Sequence, residues 1–390
     1  MISSVERLEG EVRETMRTVL AEGVGRGVMV GGVAGVAVSD RRGGEKLRSL
    51  CGHGVTDITS AVAVTTGTVY DLASLTKPLV TLLCTLYLAA RQVVDLDMPL
   101  TALLPFSRVP EEKRALRLGH LLSHSSGLPA YKPYFVEALQ KKKGQRKAFY
   151  LNAILRQPLL ALPGTAHLYS DLGFILLGCA IEQLTGRSLD AQYRQTIVEP
   201  LGLGHGLWFP SSTGPGDSLE YAATEICPWT RKLLRGVVHD ENCRVLGGVA
   251  GHAGLFGTVS AVLDLCMVLV RVWRGELTTP LFSTELLRRF LARQAGTTWA
   301  YGLDGPSARQ SSSGRYFGPE SFGHLGFTGT SLWLDMTRGV AVVLLTNRVH
   351  PSRNNQRIRQ FRPLFHDAVM RALYDKDPVD QYGATGPADS

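Results

Sequence analysis

Ser74 and Lys77 form an S-x-x-K pattern at the start of a long apolar segment. Residues three positions apart share one face of a helix, so the lysine amine can reach the serine hydroxyl. A lysine whose pKa is lowered by burial or by a nearby charge can take the serine proton and create a nucleophile. The positive potential of a helix N-terminus favours an oxyanion at the same place. The pattern alone is weak, because an ordinary helix start with a serine cap and a solvated lysine has the same letters.

Two further segments carry groups that suit the same chemistry. Tyr169 stands just before a predicted helix, and a tyrosine hydroxyl close to the serine can relay a proton. The segment HLGFTGT (324–330) contains glycines at a strand edge, which let a substrate backbone approach closely and offer N–H donors. Each segment also has an ordinary structural interpretation: a packed tyrosine beside a helix cap, and a strand with a bulge.

The elements that must position these residues follow from hydrophobic periodicity. Extended runs at 31–40 and 45–54 flank a glycine-containing turn and predict a β-hairpin. Late extended runs predict further strands, and the apolar run GVAVVLLTN (339–347) is expected to be central. We predict one helix that follows Tyr169-Ser170-Asp171 and stops at Gly186, and others over 5–20, 74–91, 260–274 and 357–374.

Strands at both ends and helices in the middle predict the domain organisation. We expect a mixed α/β (α+β) fold in which residues 1–70 and 245–390 form the sheet domain. Residues 71–244 would form a mostly helical domain inserted into it. A cleft between the two domains is the natural place for a ligand.

The composition is that of a folded globular chain. Of its 390 residues, 44% are hydrophobic and 19% are charged, which excludes a disordered chain. The formal net charge of +8 permits anionic substrates or a membrane surface, but we expect no nucleic-acid partner. The sequence contains no uninterrupted apolar stretch of about 20 residues, so we expect no transmembrane helix. The charged N-terminal segment does not resemble a secretory signal, so we predict a cytoplasmic location, where the six cysteines would be free thiols.

The order and spacing of these segments resemble the serine β-lactamase and penicillin-binding-protein family, in particular its class C β-lactamase and esterase-like branch. The S-x-x-K comes first, a Y-x-D follows about 95 residues later, and an H-x-G lies on a late strand. The resemblance extends from about residue 30 to 374. It includes LLSHSSGLP (121–129), YSDLGFILLG (169–178), LGGVAGHAGLFGT (246–258) and GFTGTSLWLD (326–335).

The resemblance implies a fold and a set of roles. The fold would be an antiparallel sheet flanked by helices, with an inserted helical region. Ser74 would be the acylated nucleophile, Lys77 its proton partner, and Tyr169 the acid/base for the leaving group and the deacylating water. The backbone N–H groups of Ser74 and Phe327 would form the oxyanion hole. The family requires no cofactor and no metal.

The chain departs from the β-lactamases of this family at two positions. Asp171 replaces the asparagine of Y-x-N, and a carboxylate near Lys77 would keep the lysine charged and shift base duty toward Tyr169. His324 and Leu325 stand where K-T-G presents a lysine and a threonine that grip the carboxylate of a β-lactam. We therefore expect neutral aryl esters to be hydrolysed better than penicillins or cephalosporins.

Other residues are candidates for the walls of the cleft. Arg348 and His350 follow the central strand, whose end lies near the site by analogy, so one of them could recognise a substrate anion. The expected substrate-binding set is Asp171, His324, Gly326, Arg348 and His350. His124 is expected to be structural. Five residues resemble metal ligands in type but are expected to be hydrogen-bonded loop residues that line the cleft: His239, Asp240, Glu241, Asn242 and His252.

Three functional hypotheses remain open at this point. The first is a serine hydrolase that acts through an acyl-enzyme on a small ester, amide or peptide substrate. The second is a true class C-type β-lactamase, or a D-aminopeptidase or DD-carboxypeptidase-like peptidase, on the same scaffold. The third is a non-catalytic binder that keeps the fold. The sequence gives no oligomeric state.

Overall fold

A computed structural model describes residues 4–40, 44–204, 206–210 and 219–374. Its main sheet has five antiparallel strands in the order β2-β1-β8-β7-β6. The strands are β1 (Gly31–Ser39), β2 (Glu45–Gly54), β6 (Ser321–Leu325), β7 (Ser331–Asp335) and β8 (Val340–Thr346). The predicted hairpin, the three late strands and the central place of β8 are confirmed.

The sheet joins the two ends of the chain. β1 pairs with β8 from Gly32 opposite Thr346 to Val38 opposite Val340. Both strands are almost completely buried, because helices cover both faces of the sheet. Alternate side chains therefore enter two different cores, which explains why β8 reads as a continuous apolar run.

Three long helices pack on the two faces. On one face, α1 (Ser4–Gly25) and α12 (Ile358–Tyr374) pack on residues such as Val342 and Leu344. On the other face, α10 (Val259–Trp273) packs on residues such as Val343. Each helix matches a predicted one to within a few residues at its ends, apart from the end of α1, which lies five residues beyond the predicted end.

The middle of the chain is mainly helical. The other α-helices are α2 (Leu83–Ala90), α3 (Leu100–Leu103), α4 (Leu118–Leu122), α5 (Phe135–Ala138), α6 (Arg146–Arg156), α7 (Asp171–Thr185), α8 (Leu189–Tyr193), α9 (Glu241–Val245) and α11 (Thr284–Phe290). Short 3₁₀ turns occur at Ala73–Leu75, Glu111–Lys113 and Lys143–Gln145, and π-helical turns at Lys77–Leu82 and Arg194–Val198. α7 ends at Gly186 in the left-handed conformation, as its sequence predicts.

A second, three-stranded sheet connects distant parts of the chain. It is formed by β3 (Tyr70–Asp71), β4 (Leu207–Trp208) and β5 (Phe256–Gly257), in the order β3-β5-β4. β4 belongs to the segment predicted to be mostly helical, and β5 to the predicted sheet domain. The domain boundaries remain a prediction. The small sheet pairs a strand of segment 71–244 with a strand of segment 245–390.

The segment 73–90 is the most apolar helical stretch of the described chain. It has the length and composition of a membrane-spanning helix, but 78% of it is buried inside the protein, as in a core helix. Its side chains meet those of α7 in the main hydrophobic core. The cytoplasmic location stays a prediction. All six cysteines are buried free thiols.

Candidate active site

Ser74 lies at the wall of a cleft of about 730 Å³. The same cleft is lined by other residues that the sequence singled out, namely Tyr169, Asp171, Gly326, Phe327 and Arg348. The segment that carries Ser74 leaves β3 and turns sharply, with Ala73 at a φ of 49°, in the left-handed region. Non-glycine residues in this region concentrate at functional sites.

Lys77 is placed directly beneath the serine. Its side chain is fully buried, and Nζ donates to Ser74 Oγ at 3.0 Å and to Asp171 Oδ1 at 2.6 Å. The third donor of the ammonium meets the backbone oxygen of His252 at 3.2 Å. An ammonium group has three N–H donors, and here each has an acceptor.

The environment keeps Lys77 charged. Burial alone would disfavour the ammonium, but the Asp171 carboxylate and Tyr169 outweigh burial and raise the pKa of Lys77. Lys77 therefore holds its proton at neutral pH, and all three of its donors are in use. The structure thus brings Asp171 to the position where the sequence analysis expected it to act.

Tyr169 completes the group around the serine. Lys77 Nζ lies 4.8 Å from the centroid of its ring. Burial raises the pKa of Tyr169, and the neighbouring Lys77 offsets only part of this effect. The tyrosine therefore carries its proton at neutral pH.

The position of Tyr169 is set by α7 and by His124. Ser170 caps α7, with its side chain accepting a hydrogen bond from Gly173 N. His124 Nδ1 accepts from Ser170 N at 3.0 Å, and its ring centroid lies 4.5 Å from that of Tyr169. Asp171 is thus free of the capping role and remains available to Lys77. These contacts suit the structural role that the sequence analysis expected for His124.

Ser74 and Phe327, whose backbone N–H groups are expected to form an oxyanion hole, both line the cleft. Among the described residues, no acceptor is bonded to the N–H of Ser74 or of Phe327. Gly326 is required by close packing, because a Cβ there would lie 1.9 Å from Thr330 Oγ1 and 2.7 Å from Leu72 O. The glycine of H-x-G thus allows two loops to approach each other at the site.

Two residues of the expected substrate-binding set lie outside the cleft lining. His324 is 3% exposed, and its Nδ1 lies 2.9 Å from Leu325 O. Burial and Lys77 lower the pKa of His324 to about 3, so it is neutral. His350 is buried, and its Nε2 accepts from Ile58 N at 3.3 Å. Its ring is therefore engaged with a loop away from the cleft, and its placement does not support a role in binding substrate.

The sequence analysis missed a group of arginines. Arg353, Arg359 and Arg362 line the cleft together with Arg348. Arg353 pairs with Glu225 and Glu241. Within the described ranges, the other three have no carboxylate within 4.0 Å. In the sequence, the only signal for Arg353, Arg359 and Arg362 was the basic run RNNQRIRQFR (353–362) after the central strand.

The residues that resemble metal ligands are engaged in hydrogen bonds and ion pairs. His252 Nε2 lies 2.9 Å from Asp240 Oδ1, and His239 Nε2 lies 2.9 Å from Glu225 Oε2. In the part of the chain that the structure describes, no group of three or more such side chains could hold a metal ion. The rings of His239 and Phe327 stack at 5.6 Å on the cleft wall.

Known proteins match this chain over most of its length. A relative in Escherichia coli (strain K12) is 33% identical over 310 residues, which cover 74% of this chain and 71% of the relative. It carries the name of a D-alanyl-D-alanine carboxypeptidase. A Salmonella agona (strain SL483) relative with the same name is 32% identical over 78% of this chain and 75% of its own length.

Solved structures show the same fold. EstCE1, a hydrolase with promiscuous acyltransferase activity, superposes with a TM-score of 0.71 at 20% identity, covering 94% of this chain and 99% of its own. SurE in complex with D-Leu gives a TM-score of 0.71 at 21% identity, over 94% of this chain and 77% of SurE. Both confirm the antiparallel sheet flanked by helices.

The family itself is shown by a match over nearly the whole chain. The model of the Beta-lactamase family covers residues 12–364, a span that contains every residue of the site described above. The resemblance inferred from the sequence motifs is confirmed, and the chain belongs to the Beta-lactamase family.

Proposed function

We propose that this serine hydrolase of the Beta-lactamase family forms its acyl-enzyme on Ser74. The observation that carries the assignment is the 3.0 Å contact between Lys77 Nζ and Ser74 Oγ, inside a cleft and next to Asp171. A hydroxyl that accepts a hydrogen bond from a buried ammonium has its own proton directed elsewhere. Tyr169, beside Lys77, is the group placed to take it.

The reaction balances as a proton relay through Tyr169. Ser74 Oγ forms a bond with the substrate carbonyl carbon while its proton moves to the tyrosine oxygen, and the tyrosine proton moves to the leaving oxygen or nitrogen. The bond to the leaving group then breaks, and an ester on Ser74 remains. Water hydrolyses this ester by the same relay in the opposite direction. Lys77 stabilises the negative charge that develops on the tyrosine oxygen.

Covalent labelling tests this assignment. A fluorophosphonate probe should add once per chain, and peptide mass spectrometry should locate the adduct on Ser74. Ser74→Ala should abolish labelling with the fold intact by circular dichroism. Ser312→Ala is a matched control, because Ser312 lines the same cleft and has no hydrogen bond to Lys77. An adduct on another serine with Ser74 unmodified would overturn the assignment, and so would a wild-type protein that takes up no probe.

The arginines of the cleft favour an anionic substrate. The expected preference for neutral esters rested on the absence of a fixed cation at positions 324 and 325. His324 is indeed neutral and Leu325 is apolar. A cation comes from another element instead, because Arg359 lines the cleft from α12 and has no carboxylate partner among the described residues. A substrate carboxylate near the scissile bond would find this cation. The relatives named as carboxypeptidases are consistent with such a peptide substrate.

A panel of paired substrates tests the substrate class. Aryl esters with and without a carboxylate, peptides that end in D-Ala-D-Ala, and a chromogenic cephalosporin would be compared by kcat/KM at pH 7. A charged contact to a carboxylate is worth about 1.5–3 kcal/mol, so the anionic ester should be preferred by roughly tenfold to a hundredfold. Equal values for the two esters would restore the neutral-ester hypothesis. A dominant rate for the cephalosporin would favour a β-lactamase.

A further inference from the structure

We propose that Arg362 is a positioning residue of the oxyanion hole, which holds the peptide unit between Gly326 and Phe327 so that its N–H faces the reacting carbonyl. The inference rests on the proposed function and on the family resemblance, which implies that Phe327 N–H is one of the two oxyanion donors. It assigns a role to an arginine on α12, far from the catalytic serine in sequence.

The geometry of one peptide plane carries the argument. The carbonyl of Gly326 and the N–H of Phe327 belong to the same planar unit and point in opposite directions, so fixing the carbonyl orients the N–H. Arg362 Nη2 donates to Gly326 O at 2.7 Å and to Thr330 O at 2.8 Å. Both acceptors lie in the turn that follows β6.

The charge of Arg362 makes this contact more than a structural hydrogen bond. Arg362 is 6% exposed, and no carboxylate lies within 4.0 Å of it in the described ranges. Its Nε is buried without a partner. A buried cation without a counter-ion is costly, whereas a charge-assisted bond to a carbonyl polarises the peptide and strengthens its N–H as a donor. The positive charge thus acts on the oxyanion through one peptide group.

Two threonines connect this turn to the segment of the nucleophile. Thr328 Oγ1 donates to Asp71 O at 2.8 Å, and Thr330 Oγ1 donates to Leu72 O at 3.1 Å. Arg348 Nε donates to Phe327 O at 2.8 Å and fixes the next peptide unit. The segments that carry Ser74 and Phe327 are therefore connected by these hydrogen bonds, and Arg362 fixes the turn of Phe327 from α12.

The experiment compares Arg362→Met and Arg362→Lys on a neutral aryl ester, so that the binding of a substrate anion does not enter. Removal of a direct oxyanion donor typically costs 10²–10³ in kcat, and we expect the loss of a positioning group to cost roughly 10–100-fold. KM should change less than about threefold, because the interaction forms in the transition state. The affinity for a boronic acid that mimics the tetrahedral intermediate should fall by the same factor as kcat.

The controls separate charge and folding from positioning. Arg371→Met removes an exposed arginine from the same helix and should behave as wild type. Arg362→Lys keeps a charged donor and should recover part of the loss in kcat. If thermal unfolding shows that Arg362→Met does not fold, Arg362→Lys and Thr328→Val replace it as the test of the inference. Each of these two variants should lower kcat and boronate affinity together.

Two results would overturn the inference. One is a wild-type kcat in folded Arg362→Met or, if that variant does not fold, in both Arg362→Lys and Thr328→Val. The other is a rise in KM with unchanged kcat and boronate affinity, which would make Arg362 a substrate-binding residue. Failure of the proposed function has a different signature, because the wild-type protein would then take up no fluorophosphonate on Ser74.

Discussion

The two sides of the cleft carry positive charge in opposite ways. On the lysine side, Lys77 meets a serine hydroxyl, a carboxylate and a backbone oxygen within 3.2 Å, and Asp171 neutralises it. On the arginine side, Arg348 and Arg362 are bonded to backbone carbonyls, and Arg359 lines the cleft without a carboxylate partner in the described ranges.

This difference separates two tasks of the site. A compensated cation can support proton transfer, because a proton can move nearby without leaving a buried charge unpaired. Uncompensated cations instead produce a constant positive potential, which favours an oxyanion or a substrate carboxylate. The predictions below alter one group at a time, on the lysine side, on the arginine side or between them.

The largest effect is expected on the lysine side. Lys77→Ala and Tyr169→Phe should each lower the turnover of an aryl ester by at least roughly 10²-fold, the usual scale for the loss of an acid/base group. KM should change less. Lys147→Ala is the matched control, since Lys147 is an exposed lysine paired with Glu182. Wild-type turnover in either active-site variant would place the proton relay elsewhere.

Asp171→Asn tests how the lysine side is compensated. Without the carboxylate, burial should lower the pKa of Lys77, since burial opposes the ammonium. If Lys77 acts as a cation, activity at pH 7 should fall by roughly tenfold, and the alkaline limb of the kcat profile should move to lower pH. Glu241→Gln changes a cleft carboxylate that pairs with Arg353 and should not move this limb. Higher activity at pH 7 would instead identify Lys77 as the base.

Arg359→Met tests the arginine side. The ratio of kcat/KM for a carboxylate-bearing ester to that for its neutral analogue should fall by about tenfold, the lower end of what a charged contact supplies. The pH dependence set by Lys77 and Tyr169 should be retained. An unchanged ratio would show that the substrate anion, if there is one, binds elsewhere.

The smallest effect concerns His324, which is buried between the two sides. Its pKa of about 3 in the folded protein lies below the ordinary value of 6.5. Below pH 6.5 this histidine binds a proton in the unfolded chain but stays neutral in the folded protein. The free energy of unfolding therefore decreases as the pH falls toward 3, by at most about 1.4 kcal/mol per pH unit. His324→Gln should flatten this dependence in urea titrations between about pH 6 and 4, whereas His53→Gln, at a partly exposed position of β2, should leave it steep.

The sequence predicted what depends on local spacing. Ser74 and Lys77 meet because residues at i and i+3 share a helix face, and Gly186 ends α7 because glycine tolerates the left-handed conformation. Tyr169 could be placed beside them only through the family resemblance. Asp171 was expected near Lys77 for the same reason.

What the sequence could not predict depends on tertiary packing. The spacing of arginines in 353–362 does not reveal which of them faces β6, so Arg359 and Arg362 were missed. The third acceptor of Lys77 is a backbone oxygen of His252, which no side-chain pattern can indicate. His350 follows the expected strand, but its ring is bound by Ile58 N instead of facing the cleft.

The pairing of β1 with β8 determines when the enzyme becomes competent during its synthesis. The residues around Ser74, Lys77 and Tyr169 leave the ribosome well before residues 340–346, which complete the sheet. Until then β1 lacks one of its two neighbours, and the turn that holds Phe327 has no anchored strand on either side. Folding thus waits for contacts between distant parts of the chain, which makes it slow and leaves apolar strands exposed in the interval. A truncated product that ends before residue 320 would contain the proposed nucleophile and proton relay but only one of the two proposed oxyanion donors, and we expect it to be inert toward esters.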